Sequence, residues 1–294
     1  MSRDEWLIEE QTPGYRTQWR VRRVLHEEQT PFQHLQLVEM EDFGRALVLD
    51  SAVQTTVGDE YIYHEMIAHV PLFTHPNPER VLIIGGGDGG TAREVCRHSS
   101  VQKVDMVEID RAVVEACRRY LPETACGLDH PKVNLVIGDG LAWVAERRGE
   151  YDVILVDSSD PVGPAVGLFN RAFYENVYRA LKPDGLFVAQ VLSPFFHKKL
   201  IHDVYQVVAS IFPITMPYLT VVPTYPSGLH CFMLGSKRHS PLRQGVRVPS
   251  WPTRWYTPAV HRAAFQLPPV VAELLQPTAA PEHAEGPCHA APTV

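Results

Sequence analysis

Residues 81–90 read VLIIGGGDGG, and this stretch decides the fold. The apolar run at 81–84 is typical of a strand buried on both faces, as in a parallel sheet. Gly85, Gly87 and Gly90 then satisfy the G-x-G-x-x-G spacing between a strand and a helix, which predicts a nucleotide bound over the turn. Because strands and helices alternate from here to about residue 211, we expect a doubly wound α/β sheet.

The elements of this sheet follow from short apolar runs and from helical spacing. The expected strands after the turn cover 103–109, 133–137, 153–156 and 186–191, and the expected helices cover 91–98, 111–120, 141–147, 171–181 and 198–211. Two later runs, 217–222 and 230–234, predict an antiparallel edge.

The first 57 residues have a different pattern of apolar and polar residues. Apolar and aromatic stretches at 18–25, 32–40 and 45–49 alternate with turn residues, which predicts a small antiparallel β domain. A helix is expected from Gly58-Asp59 to about His69, ended by Pro71 and the stretch Pro76-Asn77-Pro78. We therefore expect a β domain at 1–57, a Rossmann-like catalytic domain at 58–275 and a disordered tail at 276–294, where large apolar residues are scarce.

The composition is that of an ordinary globular enzyme. Lys and Arg total 27 against 34 Asp and Glu, and the net charge of −7 disfavours nucleic acid as a partner. The five cysteines lack metal-ligand spacing and indicate free thiols. No apolar run approaches the ~18 residues of a membrane span, and MSRDEWLIEE lacks an apolar signal segment. We therefore expect a cytoplasmic protein without a membrane partner.

The segment HEMIAH at 64–69 resembles a zinc-protease helix only in outline. His64 and His69 are five residues apart rather than four, and so lie about 140° apart around a helix. They cannot share one zinc ion in the way that motif requires. We expect no metal.

Asp88, inside the glycine turn, discriminates between nucleotide classes. The pyrophosphate of a dinucleotide would lie over backbone N–H groups that favour anions, and a carboxylate there would repel it. A sulfonium or ammonium ligand would gain from the same charge. Asp88 is also explained as a turn former or helix N-cap. Glu108 suits a ribose in either case, while Asp139-Gly140 would meet an adenine amino group or form a capping turn.

A second acidic motif, DSSDP at 157–161, follows the buried strand 153–156. Buried strand ends seldom carry an uncompensated carboxylate, which favours a functional role for Asp157, whereas Asp160 is also explained as a turn residue. An alkylammonium with a pKa near 10 must lose its proton before it attacks, at a cost of about 4 kcal/mol at neutral pH. Asp157 would orient the amine and accept that proton. Asp88 and Asp157 together therefore predict alkyl transfer from a sulfonium to an amine. Tyr63, His64 and Tyr225 are candidate partners or structural residues.

These motifs resemble the polyamine aminopropyltransferases, most closely the spermidine synthases of Gram-positive bacteria. The similarity runs from about Trp6 to Leu275 and is carried by PFQHLQLVE, GDEYIYHEM, VPLFTHPNP, VLIIGGGDGG, MVEID, VDSSDPVGPAVGLF and PTYPSG. It implies a small β domain before a Rossmann-like, methyltransferase-type domain, assembled as a dimer or tetramer. It also implies transfer of an aminopropyl group from decarboxylated S-adenosylmethionine to putrescine, giving spermidine and methylthioadenosine. Decarboxylated S-adenosylmethionine is a co-substrate in this reaction, and no bound cofactor is implied.

The resemblance also implies roles for individual residues. Asp157 would accept the proton, Asp160 would hold the polyamine and Asp88 would meet the aminopropyl ammonium. The amine channel would be lined by Gln54, Tyr63, His64, Ser158, Ser159 and Tyr225. The nucleoside would contact Gln33, Gly85, Gly87, Glu108, Asp139, Gly140 and Pro164.

One departure from the family concerns the acceptor. The family commonly has an acid two residues after Gln190, and this chain has Leu192. Cadaverine, agmatine or spermidine therefore stay open as acceptors. An S-adenosylmethionine-dependent methyltransferase is a further alternative, disfavoured because Asp88 would face the extra carboxylate of that ligand. A non-catalytic polyamine-binding homologue is disfavoured because the acidic residues and Tyr63 are all present.

Overall fold

The computed structural model describes residues 5–159, 163–243 and 247–277. The first of its two sheets is an antiparallel meander in chain order. Its strands are β1 (Glu5–Thr12), β2 (Tyr15–Gln29), β3 (His34–Met40), β4 (Gly44–Leu49) and β5 (Ala52–Thr56). The expected N-terminal antiparallel sheet is confirmed, although β1 and β5 were not predicted. The domain boundaries stay a prediction, and residues 278–294 of the expected tail lie outside the described residues.

The second sheet has seven strands. They are β6 (Arg80–Gly85), β7 (Lys103–Glu108), β8 (Val133–Ile137), β9 (Tyr151–Asp157), β10 (Leu181–Gln190), β11 (Ile214–Val221) and β12 (Leu229–Ser236). Their spatial order is β11-β12-β10-β9-β6-β7-β8. β6 to β10 pair in parallel, and β12 pairs antiparallel with both β10 and β11. The α/β sheet and its antiparallel edge are therefore confirmed.

Helices cover both faces of this sheet. They are α1 (Glu60–Thr74), α2 (Gly90–Cys96), α3 (Arg111–Tyr120), α4 (Pro122–Ala125), α5 (Gly140–Ala145), α6 (Arg171–Ala180), α7 (Lys198–Ala209), α8 (Pro258–Ala264) and α9 (Pro269–Ala272), with short 3₁₀ turns at Gly163–Phe169 and Glu273–Leu275. Along β9, Val153 and Leu155 join the core with α1, α2 and α3, whereas Ile154 and Val156 join the core with α5, α6 and α7. Within the described ranges no helix has the length and apolar character to cross a membrane.

The end of α1 differs from the prediction. The helix continues through Pro71 to Thr74, although an internal proline removes a hydrogen bond, here to Ile67, and costs about 3 kcal/mol or more. Leu72 and Phe73 are 0 % and 3 % exposed, and burying such side chains contributes about 1.5–3 kcal/mol each. The expectation that Pro71 ends the helix was wrong because burial in the core offsets the local cost.

Candidate active site

A cavity of about 550 Å³ opens at the carboxyl ends of β6 and β9. The chain leaves β6 towards β7 and β8, then returns to β9 and continues to β10, so the strand order reverses between β6 and β9. Open α/β sheets bind ligands at such a switch point. Gly85 and Asp157 are paired in register, and the glycine turn and the second acidic motif therefore meet at this cavity.

The glycine turn lies directly against the end of β9. Gly85 and Gly86 have φ angles of +83° and +74°, which glycine adopts without strain. The Gly86 N–H donates to the Asp157 carbonyl oxygen at 2.8 Å, and a Cβ on Gly85 would lie 2.1 Å from that oxygen. A Cβ on Gly87 would lie 3.0 Å from the Glu108 carboxylate. Glycine at these positions is what lets the turn approach both acids.

Two hydroxyl groups hold the Asp157 carboxylate. The Tyr63 hydroxyl donates to Oδ1 at 2.7 Å, and the Thr91 hydroxyl donates to Oδ2 at 2.6 Å. Burial, followed by the charge of Asp88, raises the pKa of Asp157 above its ordinary value, although His64 and the two hydroxyls oppose this change. A fixed carboxylate with a raised pKa accepts protons more readily than an ordinary aspartate. Thr91 was missed by sequence reasoning, since its hydroxyl gave no signal beyond its place after the glycine turn.

His64 lies between two carboxylates. Its Nδ1 is 2.6 Å from Glu60 Oε2 and its Nε2 is 3.4 Å from Asp88 Oδ1. Burial alone would lower the pKa of His64, but Asp88 and Glu60 raise it to about 10. The ring is therefore an imidazolium at neutral pH. The Arg93 guanidinium also donates to Glu60, at 2.8 Å, which adds a second cation behind the histidine.

Asp88 both shapes the turn and faces the cavity. Its Oδ1 accepts from the Gly90 N–H at 2.7 Å, as the turn-former alternative requires, and the residue also lines the cavity. The potential ligand atoms of His64, Asp88 and Asp157 lie within 4.8 Å of one another. A protonated imidazole offers no lone pair to a metal, so this arrangement favours charge pairing and the binding of a cationic group.

The predicted nucleoside residues also belong to the cavity wall. Gln33, Glu108, Asp139 and Gly140 all line it. Burial raises the pKa of Glu108 to about 7, and the charge of the neighbouring Asp110 carboxylate acts in the same direction. The Asp110 N–H donates to the Glu108 carboxylate at 2.9 Å, and this hydrogen bond opposes the rise. Asp139 accepts from the Leu141 N–H at 2.8 Å, so it caps α5 and borders the cavity at the same time.

The predicted amine residues are connected by hydrogen bonds and ring contacts. The Tyr225 hydroxyl donates to the Gln54 carbonyl oxygen at 2.7 Å, and the Tyr225 ring lies 5.8 Å from that of Tyr63. The carbonyl oxygens of Ser158 and Ser159 accept from the Gln190 amide at 3.0 and 3.3 Å. All of these residues line the cavity. Asp160 and the Pro164 side chain lie outside the described residues.

Two further residues that bear on the amine acceptor, Glu9 and Leu192, line the cavity. Glu9, on β1, lines the same cavity and is 4 % exposed, and its carboxylate accepts from the Gln11 amide at 2.9 Å. Sequence reasoning missed Glu9 because β1 itself was not predicted. Leu192 also lines the cavity and is 7 % exposed. The cavity therefore contains a buried acid from the first sheet as well as an apolar side chain at the departure from the family pattern.

Comparison with known proteins identifies both parts of the chain. Residues 60–244 match the spermine/spermidine synthase domain, and residues 5–57 match the spermidine synthase tetramerisation domain. A polyamine aminopropyltransferase of Moorella thermoacetica is 55 % identical over 281 residues, which cover 95 % of this chain and 98 % of the relative. A polyamine aminopropyltransferase of Desulforudis audaxviator is 52 % identical over 269 residues, which cover 91 % of this chain and 98 % of the relative.

Solved structures agree with this assignment. A spermidine synthase in complex with the transition state analogue AdoDATO has a TM-score of 0.90 and 40 % identity, covering 93 % of this chain and 96 % of that chain. The spermidine synthase from Thermotoga maritima has a TM-score of 0.88 and 40 % identity, and the match covers 92 % of this chain and 94 % of that chain. The chain therefore belongs to the spermine/spermidine synthase family and is an aminopropyltransferase.

Proposed function

We propose that this aminopropyltransferase is a spermidine synthase, which transfers the aminopropyl group of decarboxylated S-adenosylmethionine to putrescine. The products are spermidine and methylthioadenosine. The observation that carries the proposal is the Asp157 carboxylate, held by Tyr63 and Thr91 beside Asp88 in one cavity. These acids suit two cationic substrates and leave a fixed proton acceptor between them.

Each acid has a role in this proposal. Asp88 attracts the ammonium at the end of the aminopropyl group, and Asp157 faces the amine that attacks. The attacking nitrogen forms a bond with the propyl carbon next to sulfur. The C–S bond breaks, its electron pair stays on sulfur, and the proton of the amine passes to Asp157. Positioning the two substrates in one cavity supplies a further part of the acceleration.

The nucleoside lies on the opposite side of the glycine turn in this proposal. Glu108 accepts hydrogen bonds from the ribose hydroxyls, and Asp139 with Gly140 borders the adenine, next to Gln33. The carboxylated form, S-adenosylmethionine, would bring a second negative charge towards Asp88 and is therefore disfavoured. The complex of a related spermidine synthase with the transition state analogue AdoDATO supports binding of the reacting groups in this fold.

The acceptor is proposed to be a diamine because the cavity contains acids at separated places. Asp157 serves the attacking amine, and Glu9 supplies a buried carboxylate for the distal ammonium. Leu192 leaves an apolar wall where the family commonly has an acid. An apolar wall suits the methylene chain of putrescine, so the diamine is held by charge at its ends and by apolar contact between them.

We also propose that the protein is a homo-oligomer and needs no resident cofactor for aminopropyl transfer. The first sheet matches a model named for tetramerisation. Trp6, Ile8 and Val24 of that sheet are 52 %, 43 % and 39 % exposed, and an interface between copies of the chain would remove such apolar surface from water. A cytoplasmic location stays a prediction.

An activity assay tests which nucleoside is the substrate. Putrescine is supplied with either decarboxylated S-adenosylmethionine or S-adenosylmethionine, and the nucleoside product that is released is identified. Methylthioadenosine is expected from the decarboxylated form alone. Turnover of S-adenosylmethionine to S-adenosylhomocysteine would instead establish the methyltransferase alternative. Asp157→Asn serves as the control for background release.

A further inference from the structure

A second cluster of ionisable side chains lies at the edge of the seven-stranded sheet opposite the cavity. His75 follows α1, Asp184 lies near the start of β10 and His239 follows β12. Asp152, near the start of β9, borders the cluster and precedes Asp157 by five residues. At about 3.3 Å per strand residue, the cluster is therefore about 17 Å from the proton acceptor.

The distances between these groups are those of metal ligands. His239 Nε2 lies 3.2 Å and His75 Nε2 lies 3.6 Å from the same oxygen, Asp184 Oδ2. The three potential ligand atoms all lie within 4.8 Å of one another. Zinc bonds of about 2.0–2.2 Å in a tetrahedral arrangement place neighbouring ligand atoms about 3.4 Å apart. Little movement is therefore needed to surround one ion.

The His75 ring supplies an independent reason to expect a ligand. Its Nε2 is buried and has no hydrogen-bond partner among the residues that the structure describes, and the residue is only 3 % exposed. Leaving such a group unsatisfied costs about 1–3 kcal/mol. Coordination through Nε2 shifts the ring proton to Nδ1 and gives up the long 3.2 Å bond from the Asn77 N–H.

The surrounding charges and exposure are compatible with a divalent cation. Asp152 is a second carboxylate, with Oδ1 4.0 Å from His75 Nε2, while its Oδ2 accepts from the Lys182 ammonium at 2.9 Å. That ammonium balances Asp152 and leaves Asp184 as the ligand. The Asp184 and His239 side chains are 36 % and 15 % exposed, so an ion reaches the cluster from solvent.

We propose that His75, Asp184 and His239 bind one Zn²⁺ ion, with water as the fourth ligand. Two imidazoles and one carboxylate are ligands that zinc prefers. The ion joins the end of α1, the start of β10 and the segment after β12, which are far apart in sequence. Because it binds the folded chain only, it stabilises the protein. At about 17 Å from Asp157 along β9, it takes no part in aminopropyl transfer.

The test begins with the full-length protein freed of metal by a chelator and titrated with zinc chloride in a calorimeter. One ion per chain is expected, and the melting temperature rises with added zinc. His239→Ala and Asp184→Asn each lower the zinc affinity by ~100-fold or more, since loss of even an outer partner costs 10–100-fold. Co²⁺ provides a second readout, because tetrahedral coordination gives visible absorption that His239→Ala removes.

Asp157→Asn is the matched control because Asp157 belongs to the other group of potential ligand atoms, with His64 and Asp88. It leaves zinc binding unchanged if the proposal is correct. Absence of zinc binding, or equal affinity in His239→Ala, would overturn the proposal, as would loss of binding in Asp157→Asn. Retained aminopropyl transfer shows that each ligand variant is folded. If Asp184→Asn fails to fold, His239→Ala decides alone.

Discussion

Replacing Glu108 with glutamine is expected to stabilise the ligand-free protein at alkaline pH. Burial raises the pKa of Glu108 from 4.5 to about 7, so the folded state holds this proton more tightly than the unfolded chain. The stability that the protonated carboxyl contributes is complete below pH 4.5 and is lost as the pH rises through 7. A pKa difference of about 2.5, at 1.36 kcal/mol per unit, corresponds to about 3 kcal/mol.

Glutamine does not ionise and can still accept the Asp110 N–H bond. The difference in unfolding free energy between Glu108→Gln and the parent is therefore near zero at pH 4 and about 3 kcal/mol in favour of the variant at pH 8. Urea unfolding at a series of pH values measures it. Glu146→Gln is the control, because the Glu146 side chain is 75 % exposed and keeps its water contact. Equal differences at pH 4 and pH 8 would refute the reasoning.

The same substitution is expected to weaken binding of the nucleoside substrate. A hydrogen bond to a charged group contributes about 1.5–3 kcal/mol, so loss of the Glu108 carboxylate lowers affinity for decarboxylated S-adenosylmethionine by about 10- to 100-fold. A variant that gains stability and loses ligand affinity shows that the buried charge serves binding. Unchanged affinity would remove Glu108 from the nucleoside site.

Three further substitutions test neighbouring parts of the site. Asp157→Asn keeps nucleoside binding and lowers turnover by at least ~100-fold, the range of general-base catalysis; near-normal turnover in steady-state assays would remove its role. Leu192→Glu sharpens the preference for putrescine over monoamines, measured as a ratio of kcat/KM values, and an unchanged ratio would place Leu192 outside amine selection. Gly90→Ala places a Cβ 2.2 Å from the His64 ring and lowers the unfolding free energy by at least ~2 kcal/mol. Gly14→Ala, which meets nothing within 4 Å, is its control in the same urea experiment, and equal effects would contradict the packing argument.

The parallel sheet was predictable because its strands are continuous apolar runs. The strand at 133–137 and the helix at 111–120 have the predicted bounds. β1 was missed because its side chains invert the usual pattern: Trp6 and Ile8 are exposed, while Glu9 is buried. A strand whose apolar face points outward and whose acid points inward cannot be found from alternation alone.

The site was predictable where neighbouring strand ends bring motifs together. Parallel strands end at one edge of a sheet, so the turn at Gly85 and the acid at Asp157 were expected to meet. Tyr63 reaches Asp157 across 94 residues. Sequence reasoning left Tyr63 as a candidate partner, and the family resemblance implied only that it lines the amine channel. Thr91 and Glu9 carried no local signal, because a hydroxyl in a helix and an acid in a strand are more often structural or solvated.

An acceptor panel tests the central claim most directly. The protein is supplied with decarboxylated S-adenosylmethionine and with putrescine, cadaverine, agmatine or spermidine, and kcat/KM is measured from methylthioadenosine release. The account predicts dominant turnover of putrescine, with spermidine as the product. Dominant turnover of another amine, or no release with any of them, would contradict it.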